Sequence, residues 1–205
     1  MSQRFRWWLW GLVWAASFAS AQVIEFESGG LRYQTLSKSG VTVMYAHLPT
    51  QVREYSIVQA TVSNGSGVTC TVRPEDFVFR FPDGREVRAA SAQRVVTDLM
   101  DRAGRNDVIR LVSTYEIGLY GLSRYKSTSG YEKRRQAALA EVTSSRLKAA
   151  AAASAIAFVE LKLKPGESTD GALFFPARGV PLAGSTLRVS AAGQLFEFNP
   201  ELAAR

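Results

Sequence analysis

Apolar and polar residues alternate near both ends of the chain, whereas its middle third repeats apolar residues at helical spacing. The alternation is clear in residues 41–45 and 55–62, and it predicts strands that bury one face of a sheet. The turn sequence Asn64-Gly65-Ser66-Gly67 lies between the second run and a third at 68–72, and it predicts a hairpin. The N-terminal third is therefore expected to form antiparallel strands.

Short strands continue to residue 88 and resume after the middle third. The turns Pro82-Asp83-Gly84 and Ala192-Gly193 predict two more hairpins, and Asp170-Gly171 is expected to precede an apolar strand. Strands separated by turns at intervals of about 8–12 residues indicate an antiparallel β-sandwich. The N-terminal strands alone would leave one sheet face uncovered, so we expect the C-terminal strands to pack against them. The later strands are predicted at 77–81, 85–88, 158–164, 172–175, 187–189 and 195–198.

The middle third begins with two predicted amphipathic helices. In the first helix, Ser91 is a suitable N-cap and Gly104 is a suitable stop signal. Asn106 or Asp107 can cap the second helix. Apolar residues recur in both helices at the spacing that buries one helix face. The two stripes are Ala92, Val95, Val96, Leu99, Met100 and Ala103, followed by Val108, Leu111, Val112, Tyr115, Leu119 and Leu122.

A third, long helix is predicted from residue 131 to about residue 157. Leu139, Val142 and Leu147 are expected to face inward, and the alanine-rich end should allow another backbone to approach closely. Because strands precede and follow the helices, we interpret them as an insertion at about residues 90–157 into one β domain, residues 22–205. The expected fold class is α+β, mainly β: an antiparallel β-sandwich with a helical insertion.

Two segments resemble exported bacterial immunoglobulin-like domains. Residues 55–64 follow the pattern of an aromatic residue, alternating apolar positions and a final Asn. Residues 163–176 are similar to the late Leu-x-Pro-Gly-Glu strand pair of those domains, which ends in Gly-x-apolar-Phe-Phe. The resemblance implies an immunoglobulin-like β-sandwich used for adhesion, binding or structure, and it brings no catalytic residues. The helical insertion departs from a plain domain of this kind, so the resemblance implies no particular binding face.

The first 21 residues have the organisation of a secretory signal peptide. Arg4 and Arg6 form a basic head, residues 7–18 are almost all apolar, and Ala19-Ser20-Ala21 supplies the small residues that signal peptidase reads. Cleavage is therefore expected before Gln22, which would place the protein in the periplasm or outside the cell. An uncleaved membrane anchor is the alternative, but the apolar run is shorter than the about 20 residues of a spanning helix.

The positive charge lies mainly in the predicted helical insertion. The chain of 205 residues has a formal net charge of +7, and residues 88–148 hold twelve Lys and Arg against six Asp and Glu. Basic residues among tyrosines favour an acidic protein, a wall polymer or an anionic lipid surface, and the expected export disfavours nucleic acid. In the alternative interpretation, the charges only solvate helix faces while the tyrosines pack inward. The candidate partner-binding residues are Arg124, Lys126, Lys133, Arg134, Arg135, Tyr120, Tyr125 and Tyr131.

The sequence shows no convergent set of reactive groups. His47 is the only histidine, so a zinc site or a Ser-His-Asp triad would have to use it. Cys70 is the only cysteine, which excludes an internal disulfide, and its alternating context predicts a core position. We interpret Glu75-Asp76 as capping groups, and Asp98 and Asp101 as ion-pair partners of Arg94, Arg102 or Arg105. No catalytic residue, metal, cofactor or small-molecule substrate is expected.

These patterns predict an exported, non-enzymatic binding or structural protein of the bacterial cell envelope. Its basic helical insertion is expected to contact a protein or another anionic envelope component. The first alternative is a membrane-surface module whose helices lie on anionic lipid, which salt-sensitive vesicle binding would favour. The second alternative is a hydrolase, which would require that His47→Ala abolish a measured activity.

Overall fold

A computed structural model describes residues 22–121 and 144–199, with only the backbone described at 114–121. Within these residues strands dominate, and three helices lie between the seventh and eighth strands, so the fold is α+β and mostly antiparallel β. The strands are β1 (Ile24–Ser28), β2 (Leu31–Lys38), β3 (Val41–Val52), β4 (Tyr55–Asn64), β5 (Cys70–Val72), β6 (Phe77–Arg80), β7 (Glu86–Arg88), β8 (Leu161–Leu163), β9 (Ser168–Phe175), β10 (Thr186–Ala191) and β11 (Gln194–Phe198). The helices are α1 (Ala92–Arg102), α2 (Arg105–Gly121) and α3 (Ser145–Ile156), and a short 3₁₀ helix spans Pro74–Asp76.

The strands form three antiparallel sheets in the described part of the chain. The largest has the order β1-β2-β3-β4-β9, the second has the order β11-β10-β6-β7, and the third pairs β5 with β8. In each sheet a strand from before the helices pairs with a strand from after them: β4 with β9, β6 with β10, and β5 with β8. The two ends of the chain therefore build the same sheets.

The five-stranded and four-stranded sheets enclose one apolar core. The ring of Tyr45 on β3 lies 5.0 Å from the ring of Phe198 on β11, between centroids. Phe79 on β6 lies 4.7 Å from Phe175 on β9. Cys70 is buried in the same core, as its alternating context predicts. Burial of these aromatic side chains is the main force that holds the two sheets together.

The helices cover the other face of the five-stranded sheet and create a second core. Tyr55 and Ile57 on β4 and Phe174 on β9 face Val95, Leu99, Leu111 and several alanines of α3. Strand β4 is consequently buried on both of its faces, with Ser63 as its only partly exposed residue. Double-sided burial explains why the alternation in this strand is weaker than in its neighbours.

The helical segment is attached at both ends to the outer edge of β9. The backbone N–H of Ala90 donates to the carbonyl of Phe174 at 2.8 Å, and the N–H of Phe158 donates to the carbonyl of Ala172 at 2.9 Å. Next to the second bond, Phe158 passes so close to Gly171 that a Cβ there would lie 2.7 Å from the Phe158 backbone. The insertion therefore closes one edge of the sheet as it enters and leaves it.

Several strand predictions are wrong in partner or position. The first hairpin, β1 with β2, was not predicted, although the five residues of β1 alternate apolar and polar side chains. Strand β5 does not form a hairpin with β4, because the chain turns away after Asn64 and β5 pairs with β8 instead. Asp170-Gly171 lies inside β9 rather than before it. The hairpins β6–β7 and β10–β11 form around the predicted turns.

The helix predictions are correct in type and less accurate in their ends. Ser91 caps α1, since its hydroxyl accepts the N–H of Arg94 at 3.3 Å. Helix α2 begins before the predicted caps: Asp107 is its third residue and accepts the N–H of Gly104 at 2.8 Å. Helix α3 begins only at Ser145, and Leu147 is 45% exposed rather than inward, because alanines fill the buried face. Leu139 and Val142 lie outside the described residues.

Candidate functional site

The three helices form a layer on the five-stranded sheet, and the solvent side of this layer is basic. We call this surface the basic face. Its members are exposed residues of the three helices, whereas the buried apolar residues of each helix belong to the second core. The exposed basic residues are Arg94 and Arg102 on α1, Arg105 and Arg110 on α2, and Arg146 and Lys148 on α3.

Small residues on the inner side of α3 let this helix pack closely on its neighbours, which positions its part of the basic face. Ala149, Ala152 and Ala153 are buried against α1, α2 and the sheet, and their small side chains permit close packing of the helix. Arg146 and Lys148 lie in the first turn of α3, before these positions, and are exposed. The alanine-rich end thus has the packing role expected from the sequence.

Two carboxylates of the helical layer bind side chains outside the helices rather than the basic residues of the basic face. Asp98 accepts a hydrogen bond from the buried Tyr55 hydroxyl, and burial together with Asp98 raises the pKa of Tyr55 above its usual range. Asp107 pairs with Arg53 of the β3–β4 turn at 3.1 Å. Asp101 is the remaining exposed carboxylate among the helix side chains that the structure describes. The helical layer therefore keeps an excess of positive charge at its surface.

The predicted ion pairs within α1 and α2 do not form. Among the residues described, neither Asp98 nor Asp101 lies within ion-pair distance of Arg94, Arg102 or Arg105. Asp98 lies instead at the boundary between α1 and the sheet, where the hydroxyl of Tyr55 reaches it. Helical spacing alone predicts which side chains can meet on one helix, but it does not include a competing partner on the sheet.

Apolar side chains are also exposed on the helical layer. Met100 on α1 is 45% exposed, Ile109 on α2 is 55% exposed, and Leu147 on α3 is 45% exposed. One such residue is ordinary on a protein surface, but each of the three helices contributes one beside basic neighbours. This combination fits a contact surface for an anionic partner that also has apolar groups.

The residues that the sequence singled out lie mostly beyond the described part of the chain. Tyr120 lies in the last turn of α2, where only the backbone is described. Arg124, Lys126, Tyr125, Tyr131, Lys133, Arg134 and Arg135 fall in residues 122–143, outside the described residues. Their role stays a prediction. Sequence reasoning assigned Arg94, Arg102 and Arg105 to ion pairs and so missed them as part of the basic face.

His47 does not lie in a cluster of reactive groups. His47 is exposed on β3, but its imidazole packs beside the rings of Tyr45 and Phe79, each at 5.5 Å between centroids, and this partial loss of solvent lowers the pKa of the histidine. Among the residues described, no three His, Cys, Asp or Glu side chains are grouped as metal ligands would be. Asp76, predicted from the sequence to be a capping group, accepts the N–H of Arg73 at 2.9 Å, in agreement with that role.

The lowered pKa of His47 predicts a loss of stability in weak acid. The folded protein takes up the His47 proton less readily than the unfolded chain, so stability should fall as the pH drops below about 6.5. Urea unfolding of the wild type and of His47→Gln between about pH 5 and 8 tests this. The difference between the two curves isolates His47, because the chain has no other histidine. Parallel curves would contradict the prediction.

No helix in the described ranges is long and apolar enough to cross a membrane.

Neither a family model nor a curated protein matches the chain. Among solved structures, the crystal structure of the yjhA protein from Bacillus subtilis is similar with a TM-score of 0.32 and 10% sequence identity, over 82% of this chain and 77% of that chain. A similarity this weak carries no argument about fold or function.

Proposed function

We propose that this protein is an exported, non-enzymatic binding protein of the bacterial cell envelope, and that its helical layer contacts an anionic protein or envelope component. The observation that carries the proposal is the basic face, where six exposed basic side chains accompany one exposed carboxylate. Charges of one sign on one surface attract and orient an oppositely charged partner. The candidate residues Lys133, Arg134 and Arg135 add further positive charge to the segment between α2 and α3 in the sequence.

We also propose that the two packed sheets are an immunoglobulin-like β-sandwich. The order β11-β10-β6-β7 matches G-F-C-C′, and β3-β4-β9 matches A-B-E, if β3 is taken as strand A. In this correspondence the helical layer occupies the place in the chain where strand D would occur, between β7 and β9. The strand order thus supports the resemblance seen in residues 55–64 and 163–176.

Charge reversal of three residues on the basic face is expected to weaken anion binding by at least about 100-fold, because each cation near an anionic surface contributes about 1 kcal/mol and each new carboxylate adds repulsion. The test variant is Arg102→Glu/Arg105→Glu/Arg146→Glu, and Lys133→Glu/Arg134→Glu/Arg135→Glu should act in the same direction. Binding is measured to poly-L-glutamate and to phosphatidylglycerol vesicles, at low and high salt. Thermal unfolding should show that the sheets stay folded in each variant.

A matched control distinguishes the effect of the basic face on binding from the effect of the protein's net charge. Arg80→Glu/Lys162→Glu/Lys164→Glu changes the charge by the same amount at exposed positions away from the helices. The control should retain most of the binding. Equal loss in the control, or unchanged binding in both test variants, would refute a role for the basic face.

A membrane-surface module is the second candidate function, favoured by the exposed Met100, Ile109 and Leu147. Salt-sensitive binding to phosphatidylglycerol vesicles without binding to poly-L-glutamate or phosphatidylcholine would favour this candidate. Binding to poly-L-glutamate would favour a protein or polymer partner.

Export itself is tested by the N-terminus of the protein isolated from the producing cell. Cleavage of the proposed signal peptide should give a chain that begins at Gln22, as read by N-terminal sequencing. A chain in the envelope fraction that still carries the leader would instead support the membrane-anchor alternative.

A further inference from the structure

The edges of the sheets differ in how they are protected. The outer edge of β9 is bonded to the backbone at Ala90 and Phe158. On β11, the Lys38 ammonium donates to the carbonyl of Leu195 at 2.6 Å. Strands β5, β7 and β8 have three residues each, which is too short to pair with much of another chain. These are the devices by which natural sheets avoid unwanted strand pairing.

Strand β1 has none of these protections among the described residues. It is the outermost strand of the five-stranded sheet, and its sequence IEFES contains no Lys, no Pro and no bulge in its pairing with β2. Ile24 is 62% exposed and Phe26 is 40% exposed, although Phe26 stacks on the ring of Tyr33 at 5.3 Å. An open strand with exposed apolar side chains is a template for another strand.

The hairpin geometry indicates which backbone groups of β1 face outward. Gly29 and Gly30 form the two-residue turn, so Ser28 and Leu31 are the hydrogen-bonded pair that closes the hairpin. Hydrogen-bonded and non-hydrogen-bonded pairs alternate along an antiparallel ladder. The N–H and C=O groups of Glu25 and Glu27 therefore point to the free edge rather than to β2. The same rule directs the carbonyl of Leu195 outward, where Lys38 binds it.

We propose that β1 binds an extended segment of a partner protein in which Lys or Arg alternates with apolar residues. The backbone of Glu25 and Glu27 would pair with that segment and extend the sheet to six strands. The carboxylates of Glu25 and Glu27 lie on one face of β1, where they select basic side chains directly across the strand. On β2, Gln34 donates to Glu25 Oε1 at 2.8 Å and Arg32 lies across from Glu27, so the partner's cations would share these carboxylates with β2. On the opposite face, Ile24 and Phe26 supply apolar contacts for the alternate residues.

Charge also argues against a second copy of this chain as the occupant. Two β1 strands paired antiparallel about Phe26 would place Glu25 of each strand opposite Glu27 of the other. Like charges directly across a ladder are destabilising. The proposal goes beyond the basic face, because it uses an acidic strand on a different element, and each proposal can fail without the other.

A synthetic peptide of alternating Val and Lys, carrying a fluorescent label, is the probe for this edge. Binding by fluorescence anisotropy is expected for this peptide and not for the matched peptide of alternating Val and Glu. Amide chemical shifts should change in residues 24–28. The basic-face variant Arg102→Glu/Arg105→Glu/Arg146→Glu should bind the Val-Lys peptide at least as well as the wild type, which separates this result from the proposed function.

Two substitutions of one residue distinguish backbone pairing from charge. Glu27→Pro removes an N–H that faces the free edge and leaves the bonds to β2 in place, so affinity should fall by at least about tenfold. Glu27→Gln keeps the N–H and should weaken binding only a few-fold. If Glu27→Pro fails to fold, the proposal is tested by the amide chemical-shift changes in residues 24–28 and by the affinity of Glu27→Gln for the Val-Lys peptide. The proposal would be overturned if both variants kept the wild-type affinity, or if the amide chemical-shift changes lay away from β1. Equal binding of the Val-Glu peptide, or self-association through β1, would also overturn it.

Discussion

Replacing Gly171 by alanine is expected to destabilise the protein by about 3 kcal/mol, as for other overpacked positions. A Cβ at this position would lie 2.7 Å from both the Cα and the N of Phe158 and 3.1 Å from the carbonyl carbon of Ala157. These are backbone atoms, which cannot rotate away as a flexible side chain can. The insertion would have to move off β9, and the bond from Phe158 N–H to the Ala172 carbonyl would lengthen or break.

Urea unfolding measures this effect, and Gly67→Ala is the matched control. Gly67 has no heavy atom within 4 Å of an added Cβ, so alanine there should leave the free energy of unfolding nearly unchanged. Equal stability of Gly171→Ala and the wild type would show that the insertion does not pass this close to β9. Because the basic face is positioned by the same attachment, Gly171→Ala should also weaken any binding that the helical layer carries.

Replacing Asn64 by alanine is expected to cost about 3 kcal/mol, since four hydrogen bonds of a fully buried side chain are lost. The Asn64 amide donates to the carbonyls of Val68 at 2.8 Å and Leu163 at 2.9 Å. Its carbonyl oxygen accepts the N–H of Ser66 at 3.0 Å and the Ser66 hydroxyl at 2.6 Å. This one side chain thus ties the end of β4 to the following turn and to β8.

The control for this prediction is Asn106→Ala, since Asn106 is exposed and substitutions at such sites usually change stability by less than about 0.5 kcal/mol. Both variants are compared with the wild type by urea unfolding, and loss of β5–β8 amide protection would locate the damage. A small effect of Asn64→Ala would mean that water replaces the amide without cost. The final Asn of the pattern in residues 55–64 would then have no structural explanation.

Local patterns were sufficient for most strands and for the type of each described helix. Ser91 caps α1, and the turns at Pro82-Asp83-Gly84 and Ala192-Gly193 join adjacent strands, because each of these signals acts within a few residues. Strand β1 was missed although its sequence IEFES alternates apolar and polar residues, because a run of five residues is a weak signal on its own. Leu147 was misplaced because its apolar character suggested burial, whereas neighbouring alanines fill the space at the sheet.

The candidate site was only partly accessible from sequence. The concentration of positive charge in residues 88–148 is a property of composition, and it drew attention to the helices. The carboxylate of Asp98, a predicted partner of arginines on α1 and α2, is bound instead by Tyr55 from a strand about forty residues away. A partner at that distance leaves no trace in helical spacing, so an ion pair was the natural expectation.

The sequence alone determined the alternation of strands and helices, several hairpin turns and the sign of the charge in the insertion. Those features depend on side-chain periodicity and turn chemistry between neighbouring residues. Only the tertiary structure decided that β5 pairs with β8, that β4 is buried on both faces, and that Gly171 must admit the backbone of Phe158. These features arise from contacts between distant segments, whose energies depend on shape and packing in three dimensions rather than on local pattern.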